Sequence, residues 1–166
     1  MTAPARMEQI RPRQPQDLPA LVLVLRQVHE TDGYPSVWPD DPLGFVTASG
    51  VVGTWVADLG SGPLGQVTLC DPAQGALQTL VPEALEVKRL FVGPEGRGLG
   101  LAARLMNQAQ AWARSLGRPA ALQVDPRNAA ALNLYRQLGW QPVATVPAPW
   151  RGPDGRAPLA ALLRAP

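Results

Sequence analysis

The sequence predicts an α/β (α+β) fold in which helices flank a mixed, mostly antiparallel sheet. Three observations predict it: a hairpin around Gly60-Ser61-Gly62-Pro63, a long amphipathic helix after a glycine turn, and short alternating strands and helices beyond that helix. A length of 166 residues is ordinary for one domain, and no repeat or linker divides the chain. We therefore expect one domain over residues 1–166.

The amino-terminal half is predicted to form a strand, a helix and a long loop, followed by two strands. Asp17 stands just before the helical pattern, where a carboxylate stabilises the positive end of a helix. The loop is rich in glycine, proline and aspartate, but its aromatic residues argue against disorder. The predicted bounds are a strand over 7–13, a helix over 18–30, a loop over 31–53 with a short helix over 42–47, and strands over 54–59 and 64–70.

The carboxy-terminal half is predicted to begin with a strand that extends the sheet of the hairpin. This strand, over 86–92, stops at Gly93-Pro94. A helix begins inside the glycine turn at Gly100 and stops at Gly117. The remaining predictions are a strand over 120–124, a helix over 128–138, a strand over 140–146 and a strand over 157–164, where the letters LAALLR would fit a helix equally well.

The turn before the long helix has the features of a phosphate site. It reads Arg97-Gly98-Leu99-Gly100-Leu101-Ala102, with small residues where a ligand can approach the backbone. Unpaired amides and the positive end of the helix dipole suit a pyrophosphate, and Arg97 adds a full charge. The alternative is a tight turn that binds nothing, because glycine pairs alone are weak evidence.

Residues 98–103 also fit the dinucleotide fingerprint, with Asp125 at a suitable distance to bind a ribose hydroxyl. The preceding strand, however, contains Glu86, Lys88 and Arg89, unlike the apolar run of a strand buried on both faces. That fingerprint also normally follows the first strand of its domain, and too few residues follow Asp125 for a second half-sheet. A nicotinamide-dependent oxidoreductase is thus the weaker alternative, and a Walker-type loop is excluded because no Gly-Lys-Ser or Gly-Lys-Thr occurs.

Two blocks of the sequence resemble the GCN5-related N-acetyltransferase (GNAT) family. Arg97-x-x-Gly100-x-Ala102, preceded by LFVGP over 90–94, looks like the family's acetyl-coenzyme A binding signature. The block NAAALNLYRQLGW over 128–140 is similar to the family's Asn-x-x-Ala-x-x-Leu-Tyr-x-x-x-Gly-Phe segment. The two blocks stand in the expected order and separation, which makes the pair far more specific than either block alone.

The resemblance is clear over about residues 84–146, with Trp140 as a departure where phenylalanine or tyrosine is commoner. It implies one acetyltransferase domain whose sheet is splayed between the strands ending near Val92 and Val124 to admit the coenzyme. It also implies direct transfer of an acetyl group from acetyl-coenzyme A to a primary amine in a ternary complex, without a metal. A non-catalytic acyl-coenzyme A binding module is the alternative.

The resemblance assigns two catalytic residues. Tyr135 matches the position from which family members donate a proton or a hydrogen bond to the coenzyme sulfur; otherwise it is a core residue. Glu86 stands where some members carry the base that deprotonates the amine, and alternation places it on one face with Lys88, Leu90 and Val92. The alternatives for Glu86 are a surface carboxylate paired with Lys88 or the arginine beside it, and a water relay without a single base.

The same resemblance assigns the coenzyme to backbone groups of the strand and turn. Asn128 touches the pantetheine arm from the opposite side, unless it is a plain helix cap. The predicted coenzyme-binding residues are Leu90, Phe91, Val92, Arg97, Gly98, Leu99, Gly100, Leu101, Ala102 and Asn128.

The acceptor is predicted only as a small-molecule or peptide amine. His29, Asp32, Tyr34 and Trp38 are candidate substrate contacts because they lie at or within the long loop. A single histidine beside acidic residues is a faint metal signal, so no metal is predicted. The family often dimerises, which leaves a homodimer as one option.

Composition bounds the partners and the compartment. Hydrophobic residues make up 46% and charged residues 17% of the chain, as in a globular protein. A net charge of +2 with scattered arginines predicts no nucleic-acid partner. The start of the chain lacks an apolar signal core, and the apolar run over 21–25 is too short to span a membrane, which predicts no membrane partner. With the lone Cys70, these features predict a cytoplasmic protein.

Overall fold

The computed structural model describes residues 9–166, in which seven strands form one sheet. The strands are β1 (Gln9–Pro12), β2 (Val51–Asp58), β3 (Pro63–Cys70), β4 (Leu85–Val92), β5 (Ala120–Val124), β6 (Gln141–Pro147) and β7 (Leu159–Arg164). Their order across the sheet is β1-β2-β3-β4-β5-β7-β6. Only β4 and β5 pair in parallel, which confirms the mixed, mostly antiparallel sheet.

The helices follow the predicted order with one addition. They are α1 (Leu18–Asp32), α2 (Pro42–Thr47), α3 (Ala76–Leu80), α4 (Leu101–Ser115) and α5 (Ala129–Gln137), with 3-10 turns at Pro15–Asp17 and Pro94–Gly96. The sequence does not predict α3, because five residues are too few to show a helical period. The last segment, β7, is a strand because it pairs with both β5 and β6. Part of the predicted first strand, residues 7 and 8, lies outside the described residues.

Helices cover both faces of the sheet. On one face α4 buries Leu105 and Met106 against β2 to β5. On the other face α1 buries Leu21 and Leu25 in a cluster that also contains Phe91 of β4. Strand β4 therefore lies between two hydrophobic layers, and the site is built around it.

The sheet opens between β4 and β5. Their pairing consists of Leu85 with Ala120 and Glu86 with Ala121, although β4 continues to Val92. Beyond these pairs the facing edges of the two strands have no partner strand in the described sheet, and this parting is the predicted splay.

Strand β4 contains a bulge at Arg89. Gln66 of β3 pairs with Phe91, whereas Thr68 pairs with Lys88, so two residues of β4 stand opposite a single residue of β3. Arg89 has a φ of 54°, in the left-handed region that non-glycine residues seldom occupy. The bulge bends β4 where its pairing with β5 has already ended.

The bulge corrects one prediction about the faces of β4. Leu90 and Val92 pack in the cluster beneath α4 together with Val87, whereas Glu86 shares the opposite face with its pairing partner Ala121. The expected common face for Glu86, Lys88, Leu90 and Val92 is therefore wrong. The reason is that one extra residue in a strand reverses the alternation of every residue after it.

An ion-pair cluster fastens the start of α1 to β1 and β2. Arg11 donates two hydrogen bonds of 2.8 Å to the carboxylate of Asp17 and one of 2.9 Å to Asp58. Asp17 also accepts a hydrogen bond of 2.7 Å from the amide of Gln14. The hydrogen bonds from Arg11 are the main reason that the pKa of Asp17 lies below its usual value, despite burial.

We expect Asp17→Asn to lower the free energy of unfolding at pH 7 by about 1–3 kcal/mol, because a buried charged acceptor is lost. An unfolded aspartate has a pKa of about 3.9, and the folded value is lower, so the carboxylate stabilises the fold above that pH. This contribution is lost as the pH falls through the folded pKa. Urea unfolding at pH 7 and pH 3 should show a smaller difference between wild type and variant at pH 3; equal differences would contradict the assignment.

Candidate active site

The glycine turn lies between the end of β4 and the start of α4. Gly98 and Gly100 have φ values of 75° and 70°, which favour glycine, and Gly100 is the residue that caps α4. A side-chain atom placed on either glycine would meet nothing within 4 Å. These glycines are therefore required for the backbone conformation, and the surface beside them is open.

This turn presents unpaired backbone donors. The backbone amide of Arg104 donates to the carbonyl of Gly100 at 3.2 Å and closes the first turn of α4. None of the amides of residues 98–103 has an acceptor among the described residues. A helix start with free amides suits an anionic group, so the turn fits the pyrophosphate of the predicted coenzyme.

The exposed side chain of Arg97 folds back toward β4 and α1. Its Nε donates to the carbonyl of Val92 at 2.8 Å, and one terminal nitrogen pairs with Asp32 at the end of α1. The guanidinium thus fastens the turn to β4 and α1. Asp32, which the sequence offers as a candidate acceptor contact, lies at the glycine turn because α1 ends beside it.

Strand β4 supplies the wall of the opening with Leu90, Phe91 and Val92. Their edge toward β5 is unpaired in the sheet, so backbone groups there are available to an extended ligand. On the other edge β3 approaches closely: a side-chain atom at Gly65 would collide with the carbonyl oxygen of Phe91. Gly65 therefore allows β3 to lie this close to β4.

The start of α5 carries the predicted contact Asn128. Its side-chain oxygen accepts a hydrogen bond of 3.1 Å from the amide of Ala131, which is the helix-cap alternative. The cap uses the oxygen of the amide group, and a role of its nitrogen toward the coenzyme stays a prediction.

Tyr135 lies within α5, and its side chain is 7% exposed. Its ring is 6.1 Å from that of Trp140, centroid to centroid. Burial raises the pKa of Tyr135 above its usual value, and the hydroxyl has no hydrogen bond within residues 9–166. The phenol is therefore protonated at neutral pH, and its proton is not donated to any other group within residues 9–166.

Glu86 lies where β4 and β5 part, and it is 5% exposed. Oε2 accepts a hydrogen bond of 3.0 Å from Gln123, and Oε1 is 3.5 Å from the ammonium of Lys88. The ion pair with Lys88 matches one predicted alternative, although the carboxylate is buried and not on the surface. Gln123 and Lys88 together hold the carboxylate in a defined orientation.

A second phenol, Tyr34, lies on the face opposite α4. The edge of its ring contacts Phe45 at 6.3 Å between centroids. Burial raises the pKa of Tyr34, and the guanidinium of Arg89 opposes that rise. Tyr34 is also close enough to Tyr135 to contribute to the raised pKa of the latter. The two phenols therefore approach the same region from different elements.

His29 and Trp38 hold the long loop against α1. His29 donates through Nδ1 to the carbonyl of Pro35, and its ring is 5.4 Å from that of Trp38. The guanidinium of Arg26 lies over the ring of Trp38, 4.5 Å from the ring centroid. Both predicted contacts thus have structural partners: His29 contacts the loop, and Trp38 contacts α1.

Two residues that contact candidate site residues have no role assigned from the sequence. Gln123 follows Ala121 by two positions in β5, so alternation was the available signal that it shares the face of Glu86. Arg89 holds the loop beside Tyr34, and no sequence signal marks the bulge that orients it.

Two further features of residues 9–166 concern metal ions and membranes. No group of three or more His, Cys, Asp or Glu side chains in this part of the chain could hold a metal ion. None of its helices combines the length and apolar character needed to cross a bilayer.

The model of a family described as "Acetyltransferase (GNAT) family" matches residues 9–140. No curated protein sequence shows significant similarity to the chain. Among solved structures the chain is similar to the ribosomal-protein-S18-alanine N-acetyltransferase from Escherichia coli, with 19% identity, a TM-score of 0.71, and coverage of 96% of this chain and 94% of that chain.

Two solved structures that contain acetyl-coenzyme A are also similar. NAA60 from Arabidopsis thaliana has 20% identity and a TM-score of 0.73, over 95% of this chain and 97% of that chain. The protein yncA from Salmonella typhimurium has 19% identity and a TM-score of 0.71, over 95% of this chain and 92% of that chain. At these identities the likeness shows a shared fold.

Proposed function

The chain belongs to the GNAT family of acetyltransferases, whose model spans most of it, and from this premise we propose that it transfers an acetyl group from acetyl-coenzyme A to a primary amine. The observation that carries the proposal is the opening between β4 and β5, which leads to the unpaired amides at the start of α4. The parallel, doubly wound sheet that a dinucleotide-binding oxidoreductase needs is absent from residues 9–166.

We assign the coenzyme to this opening. Backbone amides of residues 98–102 would hold the pyrophosphate, supported by the helix dipole and by the lack of other acceptors. The unpaired edge of Leu90, Phe91 and Val92 would pair with the pantetheine arm, much as a neighbouring strand would. Asn128 lies at the start of the helix on the β5 side and would contact the same arm.

Acetyl-coenzyme A supplies an acyl carbon that a neutral amine can attack directly, so that a C–N bond forms as the C–S bond breaks. Tyr135 would donate its proton to the departing sulfur. Its raised pKa supports this role, since the phenol retains its proton at neutral pH.

Glu86 would accept the proton that the amine loses, directly or through a water molecule. Its burial and its place where β4 and β5 part support this role. Gln123 and Lys88 would orient the carboxylate, and no covalent enzyme intermediate is required.

The acceptor is proposed to be a small-molecule or peptide amine bound on the face that carries Tyr34. Of the candidate contacts, Tyr34 has the strongest support because of its proximity to Tyr135; roles for His29, Asp32 and Trp38 remain proposals. A cytoplasmic location also remains a proposal, supported by acetyl-coenzyme A being an intracellular metabolite, and so does a homodimer.

We further propose that residues 1–166 form one acetyltransferase domain. The family match ends at residue 140, but β7 lies beyond it and inserts between β5 and β6 in the same sheet. The last segment would therefore be an integral part of the acetyltransferase fold.

We expect acetyl-coenzyme A at 100 times its Kd to stabilise the protein by about 2.7 kcal/mol, which raises the Tm by about 5–10 °C for a chain of this size. NADH at the same concentration is the control and should cause no shift. A heating scan and calorimetric titration measure both. Absence of binding would contradict the proposed function.

Catalysis is tested by release of free thiol with three acceptors of different chemistry: a peptide with a free amino-terminal alanine, spermidine and kanamycin. If free thiol is released only when one of these amines is present, the result would support acetyl transfer and identify the class of acceptor. A thermal shift without release by any amine in a wider panel would favour the non-catalytic binding module.

A further inference from the structure

The short helix α2 ends against the bulge of β4, and its last carbonyl groups are held by side chains from β3, β4 and the residue that follows β1. Arg89 Nε donates to the carbonyl of Phe45 at 2.9 Å. Arg13 and Gln66 donate to the carbonyl of Val46 at 3.0 Å and 3.1 Å. Cations at the negative end of a helix satisfy carbonyls that the helix leaves unpaired. These contacts fix α2 to the sheet at one defined position.

Arg89 holds the aromatic wall of this region as well as the backbone. The carbon atom of its guanidinium lies 3.8 Å from the centroid of the Phe45 ring, a cation–π contact. Phe45 in turn contacts the ring of Tyr34, whose hydroxyl lies beside the same guanidinium. The position of the Tyr34 phenol therefore depends on Arg89 both directly and through Phe45.

The backbone of Arg89 serves the other substrate. Its left-handed conformation produces the bulge, which turns Leu90 and Val92 toward α4 and shapes the edge proposed for the coenzyme. One residue thus connects the two halves of the site: its backbone belongs to the donor strand, and its side chain holds the wall of the acceptor side.

We propose that Arg89 is a positioning residue for the acceptor, holding Phe45 and Tyr34 at the reaction centre through its side chain. This inference rests on the proposed acetyl transfer. An arginine suits the role better than a lysine because the planar guanidinium can cover a ring and donate from Nε at the same time. Loss of the side chain should therefore impair use of the amine and spare the affinity for acetyl-coenzyme A.

Two variants separate the side chain from the backbone. Arg89→Gly removes the side chain, and glycine accepts the left-handed conformation without steric cost, so the bulge is retained. Arg89→Lys keeps the charge but loses the planar group. Arg156→Ala, in the exposed segment between β6 and β7, is the control for loss of an arginine elsewhere.

The first measurement is hydrogen exchange of the free protein, which needs no acceptor. Amides of α2 should exchange about tenfold faster in Arg89→Gly than in wild type, because local opening is easier once the carbonyl of Phe45 loses its donor. Amides of α4 should be unchanged, and Arg156→Ala should match wild type throughout. Unaltered exchange in α2 would overturn the inference whatever the acceptor proves to be.

The second measurement uses whichever of the alanine peptide, spermidine and kanamycin the wild type turns over fastest. Arg89→Gly should lower kcat/KM for that amine about tenfold or more, through a higher KM, a lower kcat or both, since misplacement of binding groups is costly. The Kd for acetyl-coenzyme A should stay within about twofold, and Arg89→Lys should recover only part of the loss. A parallel loss of coenzyme affinity would overturn the positioning role. Failure of the wild type to bind acetyl-coenzyme A would instead overturn the proposed function.

Discussion

Replacing Tyr135 with phenylalanine is expected to lower kcat by about 10²- to 10⁴-fold, the usual contribution of a positioned general acid. The change removes only the hydroxyl, so the packing of the ring against Trp140 is retained. No hydrogen bond within residues 9–166 is lost, and the affinity for acetyl-coenzyme A should stay within about twofold. Stopped-assay kinetics and calorimetric titration of the same preparation measure the two quantities.

The pH profile of the wild type provides a check on Tyr135 that needs no variant. Because the pKa of Tyr135 lies above its usual value of about 10, ionisation of this phenol should not reduce kcat between pH 7 and pH 9. Unimpaired turnover of Tyr135→Phe would transfer the proton-donor role to water or another group. Loss of coenzyme affinity in that variant would show that the hydroxyl acts in binding.

Replacing Leu99 with aspartate is expected to weaken acetyl-coenzyme A binding about ten- to hundredfold, or about 1.5–3 kcal/mol, through repulsion between the carboxylate and the pyrophosphate. Leu99 is 43% exposed in the glycine turn, so the new side chain disturbs no core packing. The free protein should be as stable or slightly more stable, because a negative charge near the start of α4 complements the helix dipole.

Leu99→Asn is the matched control, because asparagine has nearly the same shape as aspartate but carries no charge. It should bind acetyl-coenzyme A nearly as the wild type does, and the gap between the two variants should shrink as salt is raised. Equal affinities for the two variants at low salt would place the pyrophosphate somewhere other than this turn. Leu99→Asp is expected to leave the stability of the free protein unchanged or higher while it weakens coenzyme binding. A misfolded variant would lose both, so the two measurements distinguish a charge effect from misfolding.

Much of the fold could be predicted because its boundaries depend on local chemistry. Gly93-Pro94 stops β4, Gly100 starts α4, and Asn128 caps α5 within a residue of the predicted position. Each of these signals is a conformational preference of one or two residues, so it can be detected without knowledge of the contacts.

The features that the sequence left open or did not reveal depend on contacts between distant segments. The letters of β7 fit a helix or a strand, and pairing with β5 and β6 decided between them. The bulge at Arg89 depends on the register between β3 and β4, which the alternation of a single strand does not reveal. Asp32 pairs with Arg97 of the glycine turn, and this contact depends on how α1 packs on the sheet.

The sequence by itself determined the element order, the turn at the start of α4 and the family resemblance, because these depend on short runs of glycine, proline and capping residues. Tertiary structure alone decided which face Glu86 occupies, that Tyr34 approaches Tyr135, and that Arg89, at the bulge of β4, contacts Phe45. The physical reason is that strand register and helix docking are set by pairing and burial across the whole sheet, and such contacts leave little trace in any single segment.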